Sequence, residues 1–372
     1  MGAFRLLLAL SVVIIHLKGV HGFSPLGGPV AVETFFMISG FYMAMILNEK
    51  YLGKGSYRLF ISNRLLRIYP IYWVVLVASL LANLWYYHET GNGPIALFLA
   101  SGASVRALLA SSDLLILGQD LVCFLTCDPH GHLHIVKAFW DTPFPIWRGL
   151  LIAPAWSLSI ELVFYALAPL IVRRSVRFIA VLTAASLCLR VFFFVGLHKH
   201  FDPWSYRFAP FEMAFFLAGA LAYRLYRRIK SPPKYFVPLA VGFFAACIGY
   251  QFIPIPFSPH GAIIKQWAFY PIAWAVIPVL FSLTKKSVWD TYIGELSYPI
   301  YIIHWPVLTV LPSLLDHFGL TREHEFLVIL TTMGLSVLVT WLVAMPLERL
   351  RQRRVQRERP VQPAPNRLMM AA

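Results

Sequence analysis

Seven ionisable side chains stand inside strongly apolar stretches of this chain: His16, Glu33, Glu161, Arg190, Glu212, Glu295 and His304. Within a lipid-spanning segment such a group costs at least about 2.5–3.5 kcal/mol on insertion scales, so its presence marks chemistry or a specific partner. Arg5 and His16 are eleven residues apart, about 16 Å at 1.5 Å per residue of helix. Three turns bring both to the same side, one at the start of the helix and one deep within it. An imidazole is well suited to take a proton from a hydroxyl near neutral pH, and a guanidinium is matched to phosphate. In PAWSLSIELVFYALAP (154–169), Ser157, Glu161, Tyr165 and Pro169 recur at every fourth position, which makes one polar stripe on a helix. In GELSYPIYIIHWP (294–306), Ser297, Tyr301 and His304 share a face in the same way. Glu33, in VETFFMISGF (32–41), is followed by Ser39 and Gly40, where a glycine permits close approach of another helix. Simpler readings exist for single members: Arg190 pairs with a neighbour for structure, Glu212 and Glu295 lie near the boundaries, and His304 is a satisfied core histidine. Taken together they point to a buried polar site between helices, and spacing alone names no reaction.

Positioning such groups requires a lipid-embedded scaffold. Of 372 residues, 59% are hydrophobic and 13% charged, with a mean hydropathy of +0.67; a soluble domain has about 45–50% and about 25%. Apolar runs of spanning length, about 20 residues, recur throughout and lack the dyad alternation of a membrane β-barrel. The expected fold is an all-α polytopic membrane protein. About ten transmembrane helices fall near 4–22, 30–48, 68–88, 152–172, 178–197, 208–226, 236–253, 267–284, 293–312 and 326–347. The net charge of +15 would suggest nucleic acid in a soluble protein. With both termini cytoplasmic, however, 23 Lys and Arg fall on the inner side and eight on the outer. That is the positive-inside pattern, so the charge orients the chain and no nucleic-acid partner is expected. The first apolar run lacks a small-x-small cleavage pattern and is read as a retained span.

Between the spans, the outer segment 89–151 is the longest, and 95–101 and 105–117 are apolar enough for re-entrant or interfacial helices. Its Cys123 and Cys127 are spaced for a weak disulfide signal, and Asp128, His130, His132 and His134 read as solvated loop residues with no metal. The basic segment SYRLFISNRLLR (56–67) sets Arg64 and Arg67 on one face, where lipid headgroups are the simplest partners. No internal repeat of the kind seen in many carriers is visible. Residues 1–348 form the expected transmembrane domain, and 349–372 a basic, Pro-containing cytoplasmic tail without structure.

Arg5-x10-His16, VETFFMISGF, RLLRIYP (64–70), PAWSLSIELVFY (154–165), RFAPFEMAFFLAG (207–219) and GELSYPIYIIHWP occur in that order. In this the chain resembles acyltransferase family 3, the membrane O-acyltransferases of glycans, over its length to about residue 348. The resemblance implies an enzyme of the bacterial inner membrane that moves an acyl group, usually acetyl, from cytoplasmic acyl-CoA to a hydroxyl of a carbohydrate or lipid-linked glycan. Acyl-CoA is then a co-substrate and no bound cofactor is implied. It makes His16 catalytic and Arg5 its partner in donor binding, and places Arg64 and Arg67 where CoA phosphates arrive. Glu161 and His304 match further positions and are taken as catalytic. Glu33 stands where relatives often carry Asp, and is grouped with Ser157, Tyr165 and Tyr301 as substrate- or donor-binding. Glu348 lies where a Glu-x-Pro motif usually closes the last span, but Arg349 and Leu350 follow it. Membrane lipids and polysaccharide synthesis or export proteins complete the expected partners. The competing reading is a transporter or flippase of lipid-linked sugars, which would also need intramembrane Glu and His.

Overall fold

The computed structural model describes residues 1–53, 55–128, 132–138, 142, 144–229, 231–255, 257–258, 261–319 and 324–357. Its order is α1 (Gly2–His16), α2 (Gly28–Glu49), α3 (Ser56–Thr90), α4 (Pro94–Ala100), α5 (Ala103–Leu115), α6 (Gln119–Val122), β1 (Leu125–Cys127) and β2 (Leu133–Ile135). Then come α7 (Trp156–Ile171), α8 (Val176–Val191), α9 (Ala209–Tyr226), α10 (Phe236–Ile248), α11 (Gly261–Thr284), α12 (Val288–His317), α13 (His324–Val339) and α14 (Met345–Arg357). Each of the ten expected stretches is helical over all or most of its length. Seven helical segments among the described residues are long and apolar enough to cross a membrane, and α1 and α10 are apolar but shorter. The architecture is that of an all-α, multi-pass membrane protein.

Close packing of α2 on α9 sits at its centre. A Cβ on Gly40 would fall 1.8 Å from the Phe216 carbonyl oxygen, and one on Gly219 would fall 1.9 Å from that of Met37. Without a hydrophobic drive between helices in lipid, such small-residue contacts let backbones approach closely enough for dispersion to hold them. Phe216 stacks between Phe36 and Phe164, with centroids 4.6 and 4.2 Å away, so α7 joins the same core. α1 packs along α12 and α2, and α12 in turn packs against α3 and α13.

Three local features differ from the sequence expectation, and α5 follows one of the two alternatives left open for it. α1 stops at His16 rather than near residue 22, because Lys18 (φ 61°) and Gly19 (φ 95°) turn left-handed and the Gly19 N–H bonds back to Ile14 at 2.9 Å. Segment 56–67 is no separate surface piece but the first third of α3, a single 35-residue helix that runs through Pro70. α5 is re-entrant in direction: it runs back beside α3. Its last carbonyls, which no helical N–H can reach, accept from Tyr72 (to Asp113, 2.7 Å), Trp73 (to Leu114, 3.0 Å) and Tyr69 (to Leu115, 2.5 Å). In apolar surroundings those bonds are what permits a helix to end there. Residues 349–357, expected as unstructured tail, complete α14, whose Arg354 donates to Asn63 (2.9 Å) and Ser62 (2.8 Å) of α3; the Pro-rich stretch 360–366 lies outside the described residues.

Candidate active site

A cavity of about 420 Å³ opens at the end of the bundle that carries Met1, Lys50 and Lys285. α1, α2, α3, α7, α12 and α14 all contribute to its wall, including Arg5, Ser39, Arg64, Arg67, Ser157, Glu161, Tyr165, Glu295 and Tyr301. Seven of the ten expected site residues are therefore brought together here: Arg5, Arg64, Arg67, Ser157, Glu161, Tyr165 and Tyr301.

Within the wall the charges differ in how they are matched. Arg67 meets both carboxylate oxygens of Glu295 at 3.3 and 3.4 Å. Glu161 Oε1 accepts from Ser39 and from Tyr165, each at 2.6 Å. This fixes the carboxylate in the cavity wall, one turn along α7 from Ser157, and among the described residues it bonds neither histidine. Arg64 is buried, with no ion-pair partner among the described residues and its Nε without a hydrogen bond. Cationic groups that lack a protein carboxylate in a roomy polar cavity suit an anionic ligand.

At the deep end, Ser157 Oγ and Tyr301 Oη lie 2.7 Å apart, and both hydroxyls reach the Pro154 carbonyl, at 3.2 and 3.0 Å. That carbonyl belongs to the 3-10 turn Ala153–Ala155 that opens α7, where the Trp156 N–H also reaches it, so the start of the helix supplies a shared acceptor. Among the described residues neither His16 nor His304 lines the cavity. They sit just beyond it: the Tyr301 ring centroid is 6.0 Å from that of His304. His16 Nδ1 lies 2.9 Å from His304 Nε2, with the rings nearly parallel at 10° and Trp305 edge-on to His16 at 5.5 Å. His304 is fully buried, whereas His16 is exposed. A cation-lined chamber, the Ser157 and Tyr301 hydroxyls and an imidazole pair thus follow one another along the bundle.

Glu33 is placed elsewhere. It is fully buried and does not line the cavity; Arg190 of α8 holds its Oε1 at 2.7 Å, Tyr270 donates to its Oε2, and Gln266 approaches at 3.2 Å. The same Arg190 reaches Glu212 at 3.4 Å. This cluster joins α2, α8, α9 and α11 and accounts for three of the costly ionisable residues by mutual pairing. Cys123 and Cys127 are free thiols. On the hairpin, His132 and His134 face Asp128 at 3.2 and 3.1 Å, and their hydrogen bonds, that of His134 first, hold its carboxyl below the usual range; His130 lies outside the described residues.

Sequence reasoning missed three contributors to the wall. Ser39 was read only for its neighbour Gly40, and it lies about 120° round the helix from Glu33, so that carboxylate gave no signal for it. Glu348 and Arg351 both line the cavity: Glu348 was set aside because Arg349 and Leu350 break the Glu-x-Pro pattern, and Arg351 fell in the segment read as a tail.

The chain matches the sequence profile of Acyl_transf_3, an acyltransferase domain, over residues 1–345, and it belongs to that family. It is thus a membrane acyltransferase by family and architecture. No curated protein and no solved structure matches it significantly.

Proposed function

We propose that the protein is a membrane-embedded O-acyltransferase that takes an acyl group, acetyl by the family's habit, from acyl-CoA on its basic face. The acceptor is a hydroxyl of an exported or surface carbohydrate reaching His16 from the opposite side, in a bacterial inner membrane. The observation that carries this reading is a cation-lined chamber walled at one end by Ser157 and Tyr301, with the paired imidazoles of His304 and the exposed His16 beyond them.

With the Ser157–Tyr301 wall open, the thioester would extend from the chamber toward His16. In one course His16 accepts the acceptor's hydroxyl proton, the alcohol oxygen bonds to the thioester carbonyl carbon, the C–S bond breaks, and the imidazole returns the proton to the departing thiolate. In the other, the His16 ring nitrogen takes the acyl group first, releasing CoA, and then passes it to the alcohol. Either requires a neutral ring nitrogen free to act, and His304 is the group in place to hold the second nitrogen. Expected result: His16→Ala inserts and folds like the wild type but forms no acylated glycan and releases no acceptor-dependent CoA. Wild-type acylation in that variant would overturn the proposal, and sugar-lipid movement without CoA release would favour a transporter.

A further inference from the structure

Two guanidinium groups in the chamber wall are buried and incompletely partnered. Arg64 and Arg351 are each 6% exposed, and the Nε of each lacks a hydrogen-bond partner among the described residues. They come from opposite ends of the sequence. Arg354 fastens α14 to α3 through Asn63 and Ser62, the two residues before Arg64, and Val355 is buried. That anchoring brings Arg351 into the wall beside Arg64 and Arg67, and Arg351 and Arg67 also border a second, smaller recess with Glu295. An unsatisfied buried N–H is costly, and a cluster of like charges adds repulsion, so the arrangement is stable only with an anion or a counter-ion nearby.

Glu348 supplies part of that compensation. Its carboxylate meets Arg351 at 2.5 Å, three residues away on the same helix, and also receives Gln352. Unlike Arg351, Glu348 is about a third exposed, at 33%, so it can turn to solvent at little cost. Counting every charged group that lines the chamber, seven are positive (the Met1 amine, Arg5, Lys50, Arg64, Arg67, Lys285 and Arg351) and four negative (Glu161, Asp290, Glu295 and Glu348), a formal charge of +3 that a polyphosphate-bearing ligand would offset.

We infer that Arg351 is a donor-binding residue that, with Arg64, holds phosphate groups of the acyl donor, and that Glu348 is a stand-in counter-ion that gives way to them. This rests on the reading of the donor as acyl-CoA. Planar guanidinium groups from two helices would grip non-bridging phosphate oxygens through paired N–H donors, while the thioester end points away toward Tyr301.

The experiment uses the full chain in nanodiscs and two probes, acetyl-CoA and S-acetyl-pantetheine, which lacks phosphate. Arg351→Ala is expected to weaken acetyl-CoA binding by about 10- to 100-fold, the range for a hydrogen bond to a charged group, and to leave acetyl-pantetheine unchanged; Arg351→Lys should recover part of the loss. Glu348→Gln should bind acetyl-CoA several-fold more tightly, a gain that does not depend on Arg351→Ala folding. Equal loss for both probes would make Arg351 a purely structural residue, and no change for either would remove it from the site. Loss seen only as weaker association with anionic-lipid nanodiscs would assign it to phospholipid headgroups instead. Absence of acetyl-CoA binding in the wild type would overturn the donor assignment itself.

Discussion

His16 Nδ1 and His304 Nε2 are 2.9 Å apart although 288 residues separate them in the chain. At that distance one nitrogen carries the hydrogen and the other accepts it, so the two rings share one proton and their tautomers are locked together. His304 thereby decides which nitrogen of His16 faces away from the pair. Replacing His304 with Ala is expected to lower kcat by about 10²- to 10⁴-fold, the range for a positioned acid–base group, with little change in donor KM. His304→Gln, whose amide oxygen can still accept from the His16 Nδ1–H, should keep more activity than Ala. Steady-state acylation assays with both variants check this. Equal activity of His304→Ala and wild type would reduce His304 to a core residue.

Ser157 and Tyr301 close the space between the chamber and that pair with two hydroxyl groups rather than with packed methyl groups. A hydroxyl partition can be rearranged by a polar thioester carbonyl, which would accept the same hydrogen bonds that the Pro154 carbonyl now accepts. Tyr301→Phe keeps the ring and removes the donor, and a loss of about 10-fold in kcat at unchanged donor KM is expected for one such bond in the transition state. Tyr301→Ala opens the partition and should raise acceptor-independent release of CoA, as water gains access to the thioester. Free-thiol titration without acceptor measures the latter. A Tyr301→Ala variant as tight to water as the wild type would show that the partition lies elsewhere.

Hydropathy made the bundle legible, since a spanning helix must be a long apolar run wherever it packs. Spacing within a single helix also survived: Ser157, Glu161 and Tyr165 form one stripe, and all three reach the chamber. What depends on distant segments did not show. Glu33 looked like a site residue because a lone carboxylate in VETFFMISGF is costly, and its neutralisation by Arg190 becomes visible only when α2 and α8 are placed side by side. For α5 the sequence left a re-entrant and an interfacial helix both open; Tyr69, Tyr72 and Trp73 of α3 taking its final carbonyls decide for the former. α14 reads as a tail because its charges are dense, yet Arg354 finds Asn63 and Ser62, and the helix becomes a wall.

The Glu33–Arg190–Glu212 cluster places two carboxylates against one guanidinium, all at most 9% exposed on their side chains. Phe215 and Trp267 lie 5.5 and 5.0 Å from the guanidinium carbon, adding cation–π attraction that a neutral substitute would lose. Removing the cation leaves buried charge uncompensated, for which about 3–5 kcal/mol of destabilisation is expected; Arg190→Ala should therefore fail to accumulate or unfold at a much lower temperature in detergent. The two acids differ. Glu33 has Arg190, Gln266 and Tyr270 as partners, whereas Glu212 Oε2 has no hydrogen-bond partner among the described residues. Glu212→Gln removes one of the two competing negative charges and is expected to be neutral or stabilising, while Glu33→Gln weakens the shorter contact to Arg190 and should cost about 1–3 kcal/mol. Thermal unfolding of the two single variants, at one detergent and lipid composition, ranks them directly. If Glu212→Gln proved the more damaging, Arg190 would be serving Glu212 first, and α9 rather than α2 would be the helix it exists to hold.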